Sequence, residues 1–214
     1  MNSRALAKVV LAAALLVSFY GISGVRDVKA ADLVSTSFSD VQANQWYAST
    51  IQWGISQNMV KGYADGTFKP NKTVTEAEFL ALLIRAFEPN LSNNGENHWA
   101  NPYYIRAKQL NYPVKSYTLM ASRKEVILRT QVAELISAAE GVHFSGDDAI
   151  HYLLAFGLAN GSDPAKLSIQ SFGGLNKLTR AEALQFVKNL YENGVGGLLT
   201  RPAEATDPRD IPAI

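Results

Sequence analysis

Three segments of this chain repeat one another, and this repeat limits the possible folds more than any other sequence feature. The segments start at Val74, Ile127 and Leu178, at spacings of 53 and 51 residues. In each segment, apolar residues recur at positions i, i+3, i+4 and i+7, the pattern of an amphipathic helix. These positions hold Phe79, Leu82, Leu83 and Ala86, then Val132, Leu135, Ile136 and Ala139, then Ala183, Phe186, Val187 and Leu190. Because the three helices share one phase, we expect one architecture repeated three times.

A second, upstream helix repeats with the first. Its apolar positions recur at a constant offset of 99 residues, at Ile51, Ile55 and Met59 and again at Ile150, Leu154 and Leu158. Gly62 and Gly161 follow these helices, where a left-handed residue commonly ends a helix. The middle copy has a one-residue insertion before Val114. The pattern predicts a mainly α fold of three tandem helix-loop-helix repeats, at about residues 38–90, 91–141 and 142–193.

Residues 1–30 have the layout of a signal peptide. Arg4 and Lys8 precede an apolar run over residues 9–17, and a small-residue cleavage pattern ends at Ala30. A membrane-anchoring helix is the alternative, but the uninterrupted apolar run is shorter than the ~20 residues that span a bilayer. We therefore expect a secreted protein that begins at Ala31, with no integral membrane span after removal of the signal. The absence of cysteine fits an exported chain with a packed core.

The sequence lacks the patterns of several functional classes. A formal net charge of +1 without runs of Lys or Arg argues against a nucleic-acid partner. His98, His143 and His151 are scattered, and no HExxH motif or cysteine is present, so we predict no metal site and no cofactor. Glu76 and Glu78 do not form a glycosidase pair, because residues two apart on a helix do not face each other. We therefore predict that the chain is not an enzyme.

Residues 194–214 differ in composition from the repeats. Gly194, Gly196 and Gly197 follow the last predicted helix, and the final stretch is rich in proline without apolar periodicity. This composition predicts a flexible C-terminal tail.

Several motifs resemble those of the S-layer homology family. They are Phe38-Ser39-Asp40-Val41, Trp46, the run KGYADGTFKPNKTVTEAEF, the run NHWANPYYIRAKQL, and LTRAEA. The likeness covers about residues 38–193 and is strongest in the first copy. It implies a pseudo-threefold helical domain that binds secondary cell-wall polysaccharide, often a pyruvylated glycan, on the surface of Gram-positive-type bacteria. In this family, pockets lie between neighbouring repeats.

The family's Thr-Arg-Ala-Glu motif has a clear physical interpretation. Thr75 with Glu78, and Thr179 with Glu182, each fit a capping box that starts a helix. Arg180 differs, because a cation beside a helix N-terminus meets the positive end of the helix dipole. An anion bound there would offset this electrostatic repulsion, because it would pair with both the helix amides and the guanidinium group. Arg180 is therefore a candidate ligand residue as well as a motif residue.

The three copies depart from the motif in different ways. Glu76 replaces the arginine in the first copy and would repel an anion, so we expect Glu76→Ala to leave binding unchanged or improve it. The second copy keeps Arg129 but has Leu128 at the cap and Gln131 in place of the glutamate, which predicts a weakened cap. The third copy lacks a counterpart of Trp46. Loop residues of one copy and the arginine of another could still combine into one site.

The candidate ligand-binding residues are Asp40, Trp46, Gly62, Asp65, Gly66, Trp99, Arg129 and Arg180. Trp46 and Trp99 could stack on a sugar face, although core positions are the favoured interpretation because each opens an amphipathic helix. Asp65-Gly66 could orient a ligand hydroxyl, but it is first a turn dipeptide.

These observations predict a secreted, non-catalytic module that binds an anionic, possibly pyruvylated, cell-wall polysaccharide and thereby anchors to the wall. The alternative is a structural or interaction protein of the cell envelope that has lost glycan affinity and binds a partner protein instead.

Overall fold

The computed structural model describes residues 38–91, 98–161 and 166–214, so the predicted signal peptide lies outside the described residues. Seven α-helices lie in these ranges, with bridges between single residues and no longer strands, which confirms the mainly α fold. The α-helices are α1 (Ala48–Ser56), α2 (Glu76–Phe87), α3 (Asn101–Gln109), α4 (Arg129–Ala139), α5 (Gly146–Ala155), α6 (Ile169–Phe172) and α7 (Arg180–Asn193). Short 3-10 helices lie at Ser122–Lys124 and Pro208–Asp210. Within the described ranges, no helix is long and apolar enough to cross a membrane.

The second helices of the three repeats, α2, α4 and α7, form the centre of the domain. Of the twelve apolar positions predicted from the helical period, eleven are buried, and Leu82 is partly buried against the same core. α2 packs against α7 and α3, and α4 packs against α5, so each repeat buries its apolar face against a neighbour. The predicted periodicity is therefore confirmed.

A closed ring of backbone hydrogen bonds joins the three repeats just before these helices. Val74 N–H donates to Leu178 O at 3.0 Å, Leu178 N–H donates to Ile127 O at 3.1 Å, and Ile127 N–H donates to Val74 O at 3.1 Å. All three residues are buried. Because each repeat is donor to one neighbour and acceptor from the other, the ring has pseudo-threefold symmetry and needs all three repeats.

Capping boxes start two of the three central helices, as predicted. Thr75 Oγ1 accepts from Glu78 N–H at 3.3 Å, and Thr75 N–H donates to Glu78 Oε2 at 2.8 Å. Thr179 and Glu182 repeat this arrangement at the start of α7. The start of α4 keeps half of it, because Leu128 N–H donates to the Gln131 side chain at 3.0 Å while leucine offers no acceptor.

The predicted role of Gly62 and Gly161 in ending the upstream helices is wrong. The left-handed residues after α1, α3 and α5 are Asn58, Asn111 and Gly157, with φ of 56°, 57° and 66°. Gly62 instead allows the ring of Phe38 to lie close against the backbone, since a Cβ at this position would be 2.0 Å from Cε1 of Phe38.

The segment after α7 packs against the second repeat, which differs from the flexible end that its composition predicts. Leu199 N–H donates to Ala139 O at 2.9 Å, and Arg201 N–H donates to Leu110 O at 2.9 Å. Further along, Ile211 is 8% exposed and belongs to the core. Backbone pairing of an extended segment needs no apolar period, so the sequence pattern gives no sign of it.

Candidate functional site

Two grooves between the repeats bring together four of the eight candidate residues, Trp99 with Arg180 and Trp46 with Arg129. The first, which we call the cationic groove, has a volume of about 200 Å³. It is lined by Met59, Val60, Lys61, Val74, Glu78, Phe79, Ala81, Leu82, Arg85, Trp99, Arg180 and Ala183. Three cations and one carboxylate are among these lining residues, so the described lining of the groove carries a net positive charge.

The second, which we call the amide groove, is larger, with a volume of about 820 Å³. It is lined by Trp46, Arg129, Ala159, Asn160, Gly161, Gln170, Ser171, Phe172, Gly173, Asn176, Glu182, Gln185, Phe186 and Asn189. One cation and one carboxylate lie among these residues, and most of the other polar side chains are carboxamides.

The two grooves are equivalent positions of the repeat. Trp99 corresponds to Trp46 at an offset of 53 residues, Arg180 to Arg129 at 51, and Asn160 to Lys61 at 99. In the cationic groove the loop comes from the first repeat, the tryptophan from the second and the arginine from the third. In the amide groove the loop comes from the third repeat, the tryptophan from the first and the arginine from the second. Each groove therefore draws on all three repeats.

Arg180 is held across the boundary between the third and first repeats. Its Nε donates to Phe68 O at 2.9 Å, and its Nη2 donates to Lys61 O at 2.8 Å. The guanidinium carbon lies 4.5 Å from the ring centroid of Phe68 and 5.1 Å from that of Tyr63. These contacts fix the plane of a partly exposed guanidinium group, and no carboxylate within the described ranges forms an ion pair with it.

Arg129 occupies the equivalent position but is buried, with 8% of its surface exposed. Its Nη1 donates to Glu182 Oε1 at 2.7 Å, and its Nε donates to Phe172 O at 2.8 Å. Burial lowers the pKa of Arg129, and the charge of Glu182 partly offsets that effect. The charge of Arg129 is thus neutralised inside the protein.

At the third junction, between the first and second repeats, Glu76 stands at the arginine position. It is 2% exposed, and its carboxylate accepts from Tyr104 O–H at 2.7 Å and from Lys115 N–H at 2.9 Å. Burial, followed by the hydrogen bond to Glu76, raises the pKa of Tyr104. Arg123 stacks on the Tyr104 ring at 4.1 Å. Glu76 is therefore a structural acceptor, and Glu76→Ala is expected to destabilise the fold, because it would leave the buried Tyr104 hydroxyl without its acceptor.

The helix N-terminus of α7 does not offer its amides to an anion. Arg180 N–H donates to Lys72 O at 2.8 Å, and Ala181 N–H donates to Pro70 O at 3.0 Å. Glu182 N–H is bound by the cap residue Thr179. Since these three amides are paired within the protein, an anion in the cationic groove must be bound by side chains, which corrects the predicted mechanism of binding by helix amides.

Trp46 and Trp99 are exposed, at 58% and 49%, so the favoured interpretation of both as core residues is wrong. Each indole ring packs in edge-to-face geometry against a neighbouring aromatic side chain. The ring centroids are 5.3 Å apart for Trp46 and Tyr47 and 6.4 Å apart for Trp99 and Tyr103. Each thus places an open aromatic surface at one of the two grooves.

The remaining predicted residues shape the loop of the first repeat. Asp40 accepts from the N–H groups of Phe68 and Lys69, both at 2.8 Å. Asp65 accepts from Thr67 N–H at 3.0 Å, and hydrogen bonds from Thr67 and Lys69 lower the pKa of Asp65 to about 2. Gly66 has φ of +78°, as the predicted turn requires, and Gly62 lies against Phe38. This loop supplies Phe68 O, which binds Arg180.

Sequence reasoning missed several residues that line the grooves. Lys61 and Asn160 occupy one repeat position, directly before Gly62 and Gly161, so the offset of 99 residues could have identified them. Arg85 lies three and seven residues after Leu82 and Glu78, on the same face of α2, so helical periodicity could have placed it beside the groove. In the part of the chain that the structure describes, no group of three His, Cys, Asp or Glu side chains could hold a metal ion.

Comparison with known proteins gives matches to one family and to surface proteins. The model of the S-layer homology domain matches residues 37–80. The middle cell wall protein of Brevibacillus brevis is 29% identical over 53% of this chain and 11% of its own length. The surface layer protein of Brevibacillus choshinensis is 30% identical over 36% of this chain and 7% of its own length. The cellulosome-anchoring protein of Acetivibrio thermocellus is 29% identical over 50% of this chain and 28% of its own length.

The matches thus span less than a third of the length of each of these relatives. The region matched by the family model contains α1, the first-repeat loop with Asp40, Asp65 and Gly66, and the capping box at Thr75. Residues 37–80, about a fifth of the chain, are thus similar to the S-layer homology domain.

Proposed function

We propose that this chain is a secreted, non-catalytic module that binds an anionic cell-wall polysaccharide at the surface of a Gram-positive-type bacterium. The observation that carries the proposal is the cationic groove, in which Lys61, Arg85 and Arg180 lie beside an exposed tryptophan. An anionic sugar needs both a positive charge and an apolar ring face, and the groove offers both.

Arg180 is suited to hold the acidic group. Two of its nitrogens are fixed by backbone carbonyls, whereas Nη1 has no hydrogen-bond partner among the described residues. A guanidinium group held in one plane loses little side-chain entropy when it binds a carboxylate. A carboxylate of the kind that a pyruvyl group supplies is therefore the chemistry that we assign to the ligand of this groove.

Arg85 and Lys61 add positive charge to the groove that Arg180 lines. Nη2 of Arg85 donates to Tyr103 O–H at 2.7 Å, which holds its guanidinium group near the base of the groove. Lys61 is exposed, and its own carbonyl binds Arg180. Glu78 is the one carboxylate of this groove, and its Oε2 is bound by the capping box.

The relatives support a wall-binding role, since they are described as a cell wall protein, a surface layer protein and a cellulosome-anchoring protein. We propose that the repeats at 38–90, 91–141 and 142–193 act as one binding domain, because both grooves combine side chains from all three.

Sedimentation with purified peptidoglycan sacculi tests the proposed function. We expect the protein, expressed from Ala31 to Ile214, to sediment with untreated sacculi, and to stay in solution after the attached polymer has been removed chemically. Binding that survives removal of the polymer would contradict a polysaccharide ligand. Absence of binding to untreated sacculi would favour the alternative, an envelope protein that binds a partner protein.

A further inference from the structure

The amide groove occupies the same position in the repeat as the cationic groove but is larger and differs in charge. Where the cationic groove has Lys61 and Arg85, the equivalent positions of the amide groove hold Asn160 and Asn189. The groove thus offers neutral donors and acceptors at the points where its counterpart offers cations.

Arg129, the one cation among the described residues that line the amide groove, is paired. Arg129 Nη1 lies 2.7 Å from Glu182 Oε1, and the side chains of the two residues are 10% and 28% exposed. The counterpart pair, Arg180 and Glu78, forms no ion pair in the part of the chain that the structure describes. An anion entering the amide groove would compete with Glu182 for a buried guanidinium group, so the groove gives little preference for negative charge.

The polar lining of the amide groove is prearranged for hydroxyl and amide groups. Gln185 Nε2 donates to Asn189 Oδ1 at 2.7 Å, and Asn189 Nδ2 donates to Leu158 O at 3.2 Å. These bonds orient two carboxamides, while the side chains of Asn160, Gln170 and Asn176 are exposed. Carboxamides both donate and accept, which suits uncharged sugar hydroxyl and acetamido groups.

Trp46 supplies the apolar contact. Its side chain is 58% exposed at the edge of this groove, and a volume of about 820 Å³ is large enough for more than one sugar ring. An exposed indole beside oriented carboxamides matches the alternating apolar faces and polar edges of a saccharide.

From this arrangement we propose that the amide groove binds an uncharged saccharide unit, and that the protein therefore holds its polymer through two chemically different sites. This inference rests on the proposed function, because it assigns the second groove of the same wall-binding domain. Binding in the cationic groove weakens as salt rises, whereas binding in the amide groove is insensitive to salt. Two sites on one polymer raise the overall affinity through a high effective concentration.

Titration calorimetry with two neutral probes, tri-N-acetylchitotriose and cellotriose, tests the inference. The variants are Trp46→Ala and its repeat counterpart Trp99→Ala, with Arg180→Ala as a third. We expect the wild type to bind at least one probe with less than a twofold change in affinity between 50 and 500 mM NaCl, roughly the range over which the Debye length falls from about 14 to 4 Å. We expect Trp46→Ala to weaken that binding by about 5- to 150-fold, the effect of losing one stacking contact of ~1–3 kcal/mol. Trp99→Ala and Arg180→Ala should leave it unchanged.

Three results would overturn the inference: no binding of either neutral probe, binding that is lost in Trp99→Ala or Arg180→Ala but kept in Trp46→Ala, or binding that falls steeply with salt. Thermal melting of each variant separates a lost site from a lost fold. If the wild-type protein binds sacculi but binds neither neutral probe, the assignment of the amide groove is wrong while the proposed function still holds.

Discussion

Deleting residues 142–214 is expected to abolish cooperative folding of the first two repeats. The deletion removes Leu178, which accepts from Val74 and donates to Ile127 in the closed ring. It also removes α7 and α5, which cover α2 and α4. A repeat that buries its apolar face only against its neighbours cannot fold when one side is exposed.

The measurement is thermal unfolding followed by circular dichroism. Deletion of residues 212–214, which are exposed, is the matched control and should melt as the parent does. A cooperative transition of the truncated chain at the parent temperature would show that the three repeats do not share one core.

Arg129→Ala is expected to lower the free energy of unfolding by about 3 to 5 kcal/mol, the cost of breaking a buried ion pair by removing one partner. The substitution leaves Glu182 Oε1 and the Phe172 carbonyl without the donors that Arg129 supplies, and it opens a space beside the rings of Phe172 and Phe186. Because Arg129 is buried, its replacement is expected to affect the fold as well as the groove that it lines.

Urea denaturation measures the effect, with Arg180→Ala as the matched control from the same repeat position. Arg180 is partly exposed and has no carboxylate partner among the described residues, so its replacement should cost less than half as much. The double variant Arg129→Met with Glu182→Gln should recover part of the loss, since it removes both charges together. Equal denaturation midpoints for Arg129→Ala and the wild type would refute the structural role.

The sequence predicts the helical framework well because the relevant interactions are local. The phase of α2, α4 and α7 follows from the spacing of apolar residues, and the caps at Thr75 and Thr179 follow from residues three apart. The resemblance to the S-layer homology family, whose pockets lie between repeats, implies that a loop from one copy and an arginine from another combine, and the structure brings Arg180 to Lys61 and Phe68.

The chemical differences between the grooves depend on contacts across repeats, which no local pattern reveals. Arg129 and Arg180 share one motif position, yet Glu182 pairs with the first and no described carboxylate pairs with the second. Trp46 and Trp99 each lie two residues before the first residue of α1 and α3. They are therefore outside the helical period, and the spacing of apolar residues does not show whether their side chains are buried. The pairing of residues 199–206 with the second repeat and with His143 of the third joins segments about 60 to 90 residues apart in the chain.

The central claim is that side chains of the cationic groove, above all Arg180, bind an anionic glycan. The direct measurement is calorimetric titration of purified acidic wall-polymer fragments against Arg180→Ala, with Lys108→Ala, an exposed cation on α3, as a control of equal charge. We predict that Arg180→Ala weakens binding by about 1.5 to 3 kcal/mol, or roughly 10- to 150-fold, while Lys108→Ala changes it less than twofold. The difference should shrink as salt is raised. Equal affinity of Arg180→Ala and the wild type for fragments that the wild type binds measurably would contradict the claim.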